Sequence, residues 1–175
     1  MNRALERFAG RVDRFNAVIG RAAGWLTVAM VVVTCIVVVA RYFFDAGWIW
    51  LQESVTWMHA VVFMLAAAWT LGLDEQVRVD VFYRDMPPRR RAVVDLAGVL
   101  LLLIPFCIFL LSVNWNYVSA SWRIGEASRE AGGLPGLFVL KSVMLVMPVL
   151  LIFQGLALAA RSWLILRGAP RTPAT

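Results

Sequence analysis

The chain has 175 residues, of which 61% are hydrophobic and only 16% are charged. Soluble globular domains carry about 25% charged residues, so this composition excludes an ordinary soluble domain and favours a membrane protein. The formal net charge of +6 does not indicate a nucleic-acid-binding protein, because the arginines flank apolar stretches and lack an aromatic stacking platform.

Four apolar stretches are long enough to cross a bilayer: residues 22–40, 55–73, 92–113 and 136–160. A helix rises about 1.5 Å per residue and the hydrocarbon layer is about 30 Å thick, so about 20 apolar residues span it. We therefore predict an all-α membrane protein, with a single four-helix transmembrane domain at residues 22–163 and a short cytoplasmic tail at residues 164–175. The first apolar run is longer than that of a secretory leader, so we expect it to be a retained span.

Residues 1–21 are predicted to form an amphipathic helix. At about 100° per residue, its apolar side chains share one face and its arginines share another. The apolar face consists of Leu5, Phe8, Val12, Phe15 and Ile19, and the basic face of Arg3, Arg7, Arg11, Arg14 and Arg21. Such a helix is expected to lie on the cytoplasmic face of the membrane, with its arginines toward anionic lipid headgroups. The alternative is a solvated basic tail.

The distribution of basic residues predicts the orientation. Thirteen of the 17 lysines and arginines lie before the first span, between the second and third spans, or after the fourth. By the positive-inside rule, both termini are therefore cytoplasmic. Aromatic residues such as Trp57, Trp115 and Trp122 fall near the opposite, outer ends of the helices, as expected for an interfacial belt.

Lys141, His59 and Asp95 lie within the predicted spans, and Asp95 is interpreted as a signal for the start of the third helix. Lys141 is close to the outer end of the fourth span, where its side chain can extend to the interface or form an ion pair with Glu53 or Glu126. His59 is the sole histidine of the chain, so one copy does not provide the two axial ligands of a bis-histidine haem. We expect His59 to be a polar side chain in helix packing.

Motifs for catalysis, nucleotide binding and metal binding are lacking in the sequence: it has no GxSxG, no Walker loop, no dinucleotide fingerprint and no Cys/His cluster. We therefore predict no enzymatic activity, no cofactor, no metal and no nucleic-acid partner. The sequence also lacks an inverted repeat of broken helices, which a self-sufficient secondary transporter would be expected to have. A component of a larger membrane complex is the favoured interpretation.

Three segments together resemble a known family. The sequences LQESVTWMHAVVFMLAAAWTLGLDEQVRVDVFY, GEASREAGGLPGLFVLK and MPVLLIFQGLA are similar to the small membrane subunit of tripartite ATP-independent periplasmic (TRAP) transporters, the DctQ-like family. The similarity covers about residues 25–168 and is closest to the mannitol or chloroaromatic compound branch. One departure is Gln76, at a position that is often histidine in this family.

The resemblance implies a four-helix scaffold in the bacterial inner membrane, bound to a large permease subunit. The permease would carry the substrate and sodium sites, and a periplasmic binding protein would deliver an organic acid. The residues that match the family or that we single out beside the matches are candidates for a partner interface or a structural role. They are Glu53, Trp57, Arg78, Asp80, Glu126, Ser128, Arg129 and Lys141.

Both connections between spans have alternative interpretations. Arg78 and Asp80, in the cytoplasmic connection, are expected to pair locally or with the partner, or else to be part of a solvated loop. Glu126 and Arg129, in the outer connection, are expected to pair with each other or to contact the binding protein. Two rival functions are a membrane anchor for a redox enzyme and a regulatory or assembly protein without a transport partner.

Overall fold

The computed structural model describes residues 2–75, 83 and 86–168. In these residues the chain forms helices α1 (Asn2–Phe44), α2 (Ile49–Leu73), α3 (Pro88–Ile124) and α4 (Leu137–Leu166), and no strand. All four helices are long and apolar enough to cross a membrane. The predictions of an all-helical fold and of four spans are therefore confirmed. The helices extend beyond the predicted apolar spans because the polar residues that flank those spans are also compatible with helix.

Helix α1 is continuous over 43 residues, whereas the change in composition near residue 21 suggested two separate segments. At about 1.5 Å per residue it is about 63 Å long, roughly twice the thickness of the hydrocarbon layer. The junction contains Ala22, Ala23 and Gly24 but no proline, so the backbone has no reason to break there. The placement of residues 1–21 on the membrane surface stays a prediction.

Helix α4 lies at the centre of the fold and packs against α1, α2 and both halves of α3. It is also the most buried of the four helices. Its buried residues include Pro148, Gln154, Gly155 and Ser162. Small side chains let neighbouring helices approach closely, which is the usual means of helix association in membranes. The other helices are therefore arranged around α4.

Helix α3 contains a π-helical turn at Val99–Leu103, directly before Pro105. In this turn the N–H of Ile104 donates to the carbonyl oxygen of Val99, five residues earlier. A proline inside a helix lacks an N–H donor and crowds the preceding turn, and a wider turn relieves both problems. The turn contacts Gly155 of α4, where an added Cβ would lie 2.7 Å from Leu103 Cδ2 and 3.3 Å from Val99 Cγ1.

Helices α1 and α2 pack as a hairpin, and they are in close contact at Gly20. The indole ring of Trp69 on α2 covers this glycine, so that a Cβ atom there would lie 2.2 Å from Trp69 Cε3. Gly24, one turn further along α1, has no neighbouring atom within 4 Å of an added Cβ. The two glycines thus differ in packing although they lie on the same helix.

Gly20→Ala is expected to destabilise the protein by about 1–3 kcal/mol, because the new methyl group forces Trp69 and α2 away from α1. Gly24→Ala is the matched control, and it should be neutral or stabilising because alanine favours helix and nothing obstructs its side chain. Thermal unfolding of both variants in detergent measures the difference. Equal melting temperatures for the two variants would contradict this packing.

Candidate functional site

The amino-terminal end of α2, which is predicted to be its outer end, is bonded to the connection between α3 and α4. The Glu53 carboxylate accepts a hydrogen bond from Ser128 Oγ and another, of 2.7 Å, from the backbone N–H of Leu134. The connection is also closed on itself, since the N–H of Ser128 donates to the Leu134 carbonyl oxygen at 3.1 Å. Glu53 therefore fixes this loop against α2.

A second carboxylate, that of Glu126, lies in this loop and joins α3 to α4. Glu126 forms an ion pair with Lys141 on α4 and accepts a 2.6 Å hydrogen bond from Ser121 Oγ on α3. The Lys141 ammonium also lies 4.0 Å from the centroid of the Tyr117 ring, which is a cation–π contact. Of the two partners considered for Lys141, the structure places Glu126 beside it, while Glu53 is bonded to the loop.

The environment of Glu126 lowers the pKa of its carboxyl below the ordinary value of 4.5. The main cause is the hydrogen bond from Lys141, followed by that from Ser121. The positive charge of Arg129 contributes a smaller effect in the same direction, although the Arg129 side chain is exposed. The two hydrogen bonds and the nearby positive charge all favour the charged carboxylate.

These contacts make the loop 125–136 an outer clamp, which holds the outer ends of three helices. Glu53 belongs to α2, Ser121 to α3 and Lys141 to α4. The clamp is closed by Trp122, whose indole N–H donates to Ser142 Oγ at 2.8 Å and whose ring packs edge-on against Phe138 at 4.6 Å. Helix α1 takes no part in these bonds, so its connection to α4 lies elsewhere.

That connection is a polar cluster near the opposite end of α4, which we call the inner cluster. Asp13 of α1 forms an ion pair with Arg161 and accepts a 2.9 Å hydrogen bond from Gln154 Nε2. Asn16 donates to Gln154 Oε1 at 2.6 Å, and both amide side chains are buried, with exposures of 2% and 1%. Gly72 of α2 adjoins the cluster, because a Cβ there would lie 2.7 Å from Gln154 Nε2.

The distance between the two ion pairs along α4 matches the thickness of the hydrocarbon layer of a membrane. Lys141 and Arg161 are separated by 20 residues along α4. At about 1.5 Å per residue they lie about 30 Å apart, which is the thickness of the hydrocarbon layer. An ion pair at each boundary would match this spacing, and the Asn16–Gln154 pair would then lie about 10 Å further into the hydrocarbon layer than Arg161.

Helix α2 carries polar side chains that face away from the rest of the chain. Gln52, Thr56 and His59 follow one another at helical spacing and are exposed, and Phe63 continues the stripe with an exposure of 71%. None of the three polar side chains has a hydrogen-bond partner among the described residues. His59 does not pack between helices of this chain, because the ring lies on the outer face of the bundle, and its expected role in helix packing stays a prediction. We call these four residues the α2 stripe.

The connection between α2 and α3, which is predicted to be cytoplasmic, is described only in part. Tyr83 donates to both carboxylate oxygens of Asp95, at 2.9 and 2.8 Å, and the Arg91 guanidinium lies 5.2 Å from its ring centroid. These contacts attach Tyr83 to the first turns of α3. Arg78 and Asp80 lie outside the described residues, so their pairing stays a prediction.

Not every candidate residue belongs to a cluster. Trp57 is half-buried on α2 and takes no part in the hydrogen bonds of the outer clamp, although it lies one turn from Glu53.

The sequence interpretation missed Asp13, Asn16, Gln154 and Arg161. A signal was present: Asp13 and Asn16 are three residues apart and Gln154 and Arg161 seven apart, so that each pair shares a helix face. Among the described residues, no three His, Cys, Asp or Glu side chains converge as metal ligands would.

The four helices and the two polar clusters define the class of protein. It is a multi-pass membrane protein in which four helices are held together by polar contacts near both ends. The profile of a family described as tripartite ATP-independent periplasmic transporters, DctQ component, matches residues 30–165. The chain therefore belongs to the DctQ family, the small membrane component of TRAP transporters. This is a family of transport components and not of enzymes. No significant match was found among curated proteins or among solved structures.

Arg161→Met is expected to destabilise the protein by about 1–3 kcal/mol, because it leaves the largely buried Asp13 carboxylate without its cation. Asp13→Asn should have a similar effect on Arg161. The double variant should lose less stability than the sum of the two single variants, since neither remaining group is then an unpaired charge. Chemical or thermal unfolding of all four proteins gives this coupling, and strictly additive losses would contradict the ion pair.

The ionisation of Glu126 predicts a dependence of stability on pH. Because its pKa is lower in the folded chain, its contribution is complete above pH 4.5 and is lost as the pH falls through the folded pKa. The wild-type protein should unfold at a higher temperature than Glu126→Gln at neutral pH, and the gap should close on acidification. Glu130→Gln, at an exposed position of the same loop, is the control and should show no such gap.

Proposed function

We propose that this chain braces the large permease subunit of a TRAP transporter in the bacterial inner membrane, while the permease carries out ion-coupled uptake. In TRAP systems the DctQ component works with a large permease and a periplasmic binding protein. The carried solute is proposed to be an organic acid and the coupling ion to be sodium, as the family resemblance implies. The mannitol or chloroaromatic branch is proposed from the sequence GEAS at residues 125–128 and the GGLPG stretch that follows.

The α2 stripe is the observation that carries this proposal. His59 lies about 9 Å along α2 from Glu53, inside the predicted apolar span 55–73. Polar groups that face lipid at this depth cost several kcal/mol unless they find a partner. Gln52, Thr56 and His59 lack one in the described part of this chain, so a second membrane protein that covers the stripe supplies what they need. The large permease is the partner that the family assignment favours.

The proposed orientation places both termini and the inner cluster in or near the cytoplasm. It is supported by the distribution of the 17 basic residues, and it places the outer clamp toward the periplasm. The clamp then presents Arg129 and Glu130, both exposed, on the side where the binding protein arrives. A docking contact at loop 125–136 is part of the proposal, as is the contact of residues 1–21 with membrane lipids.

The partner can be identified by purification of the chain from its native membrane in mild detergent through a C-terminal tag. Mass spectrometry should recover a large multispan permease in near-equal amount. A flavin or iron–sulfur enzyme in its place would favour the redox-anchor alternative. Recovery of the chain alone would favour the stand-alone alternative.

Thr56→Trp tests the interface on α2. The indole should prevent close packing against the stripe, so that recovery of the permease falls about tenfold or more, which corresponds to about 1.4 kcal/mol. Leu102→Trp is the control, since Leu102 is 72% exposed on α3, away from α2. It should leave recovery unchanged. Loss of the permease from the control but not from Thr56→Trp would place the interface on α3 instead.

A further inference from the structure

An open groove lies beside the inner cluster, between the amino-terminal part of α1 and the inner end of α2. Its volume is about 530 Å³, within the range of about 300–1,000 Å³ that is typical of small-molecule sites. It is lined by Arg7, Gly10, Arg11, Asp13, Arg14, Ala17, Arg21 and Trp69. We call it the arginine groove. The proposed scaffolding of a permease does not require it.

The lining of the groove carries an excess of positive charge. Four arginines line it, at spacings of four, three and seven residues, so they crowd the same face of α1. Like charges at these spacings repel each other and destabilise a helix. Asp13 is the only carboxylate of the lining, and it is already paired with Arg161. The groove therefore attracts an anion that bridges several guanidinium groups.

The shape of the groove fits a headgroup at a membrane surface. Gly10 leaves its middle open, since a Cβ there would meet no atom within 4 Å. Trp69 forms its wall on the α2 side, near the level where α2 ends at Leu73. Gly72, three residues further along α2, adjoins Gln154, which is about 10 Å along α4 from Arg161 on the hydrocarbon side. The indole therefore lies toward the acyl chains, and the arginines around Asp13 lie nearer the headgroups. The site thus combines guanidinium donors for phosphate oxygens with an apolar surface for the glycerol and upper acyl chain.

We propose that the arginine groove is a specific site for the phosphate group of one anionic phospholipid. Guanidinium groups bind phosphate oxygens in pairs, and basic pockets on the cytoplasmic side of membrane helices are suited to acidic headgroups. The lipid would neutralise the arginines of α1 and hold this end of the helix beside α2 and α4. The site is a property of this chain in a bilayer and does not require the permease, so its failure would leave the proposed scaffolding of the permease intact.

The test uses the full chain in nanodiscs of phosphatidylcholine with a minor fraction of phosphatidylglycerol. Native mass spectrometry after release counts the lipids that stay bound. The wild-type chain should retain one phosphatidylglycerol in preference to phosphatidylcholine. Arg11→Gln combined with Arg14→Gln should weaken this retention about 30-fold, since each arginine near an anionic surface makes a substantial contribution to binding. Arg89→Gln combined with Arg90→Gln removes the same charge from exposed positions on α3, and should change retention less than about twofold.

Gly10→Leu fills the groove without any change of charge. The helix should tolerate it because leucine favours helix and the position is open. Retention should be lost in this variant, while its unfolding temperature in detergent is unchanged or higher. Equal loss in the groove and α3 double variants, or full retention by Gly10→Leu, would show diffuse attraction to anionic lipid and overturn the proposal. Stabilisation of lipid-free protein by inorganic phosphate, without preferential lipid retention, would assign the groove to a soluble phosphate and overturn it equally.

Discussion

The lack of water in the hydrocarbon layer is the constraint on which this structure depends. A polar side chain that enters the layer must find its partners within the protein, because lipid provides none. Helix α4 brings three such side chains into the bundle: Lys141, Gln154 and Arg161. Lys141 finds its partner in the preceding loop, at Glu126, and the other two find theirs far away in sequence, at Asp13 and Asn16 of α1. Apolar packing alone would leave the helices free to rotate and slide, and these bonds give each neighbour of α4 a defined position.

The two sets of polar contacts act on different helices, and together they connect all four. The outer clamp connects α2, α3 and α4, whereas the inner cluster connects α1 to α4 beside the inner end of α2. Contacts near both ends restrict the relative movement of the four helices, as the proposed scaffolding role requires. The polar groups left over, on the α2 stripe and in the arginine groove, face outward. The hydrogen bonds and ion pairs within the bundle thus hold the four helices together, and the outward-facing polar groups are available to the proposed partners.

Some of this arrangement could be predicted from the sequence. Long apolar runs identify the four spans because their length is fixed by the bilayer, and the short list of carboxylates on the outer side reduced the partners of Lys141 to two. The inner cluster was not predicted because its bonded residues are 138–148 positions apart. Its aspartate, Asp13, also lies in an arginine-rich segment, which was interpreted only as a basic helix face. The continuity of α1 was missed because composition changes near residue 21 while the backbone has no breaker. Arg78 and Asp80 lie outside the described residues, so their roles stay predictions.

The π-helical turn of α3 has a consequence for the register of that helix. Before the turn, buried Ala92 and Val99 are seven residues apart, and after it Cys107 and Ser121 are fourteen apart, yet Val99 and Cys107 are separated by eight. Two regular heptad phases are therefore joined by one extra residue, which the wide turn accommodates. Without that residue, a continuous α-helix would turn one half of α3 by about 100° relative to the other. Each half of α3 thus has its own pattern of buried positions, and the wide turn lets both halves pack against α4 within one continuous helix.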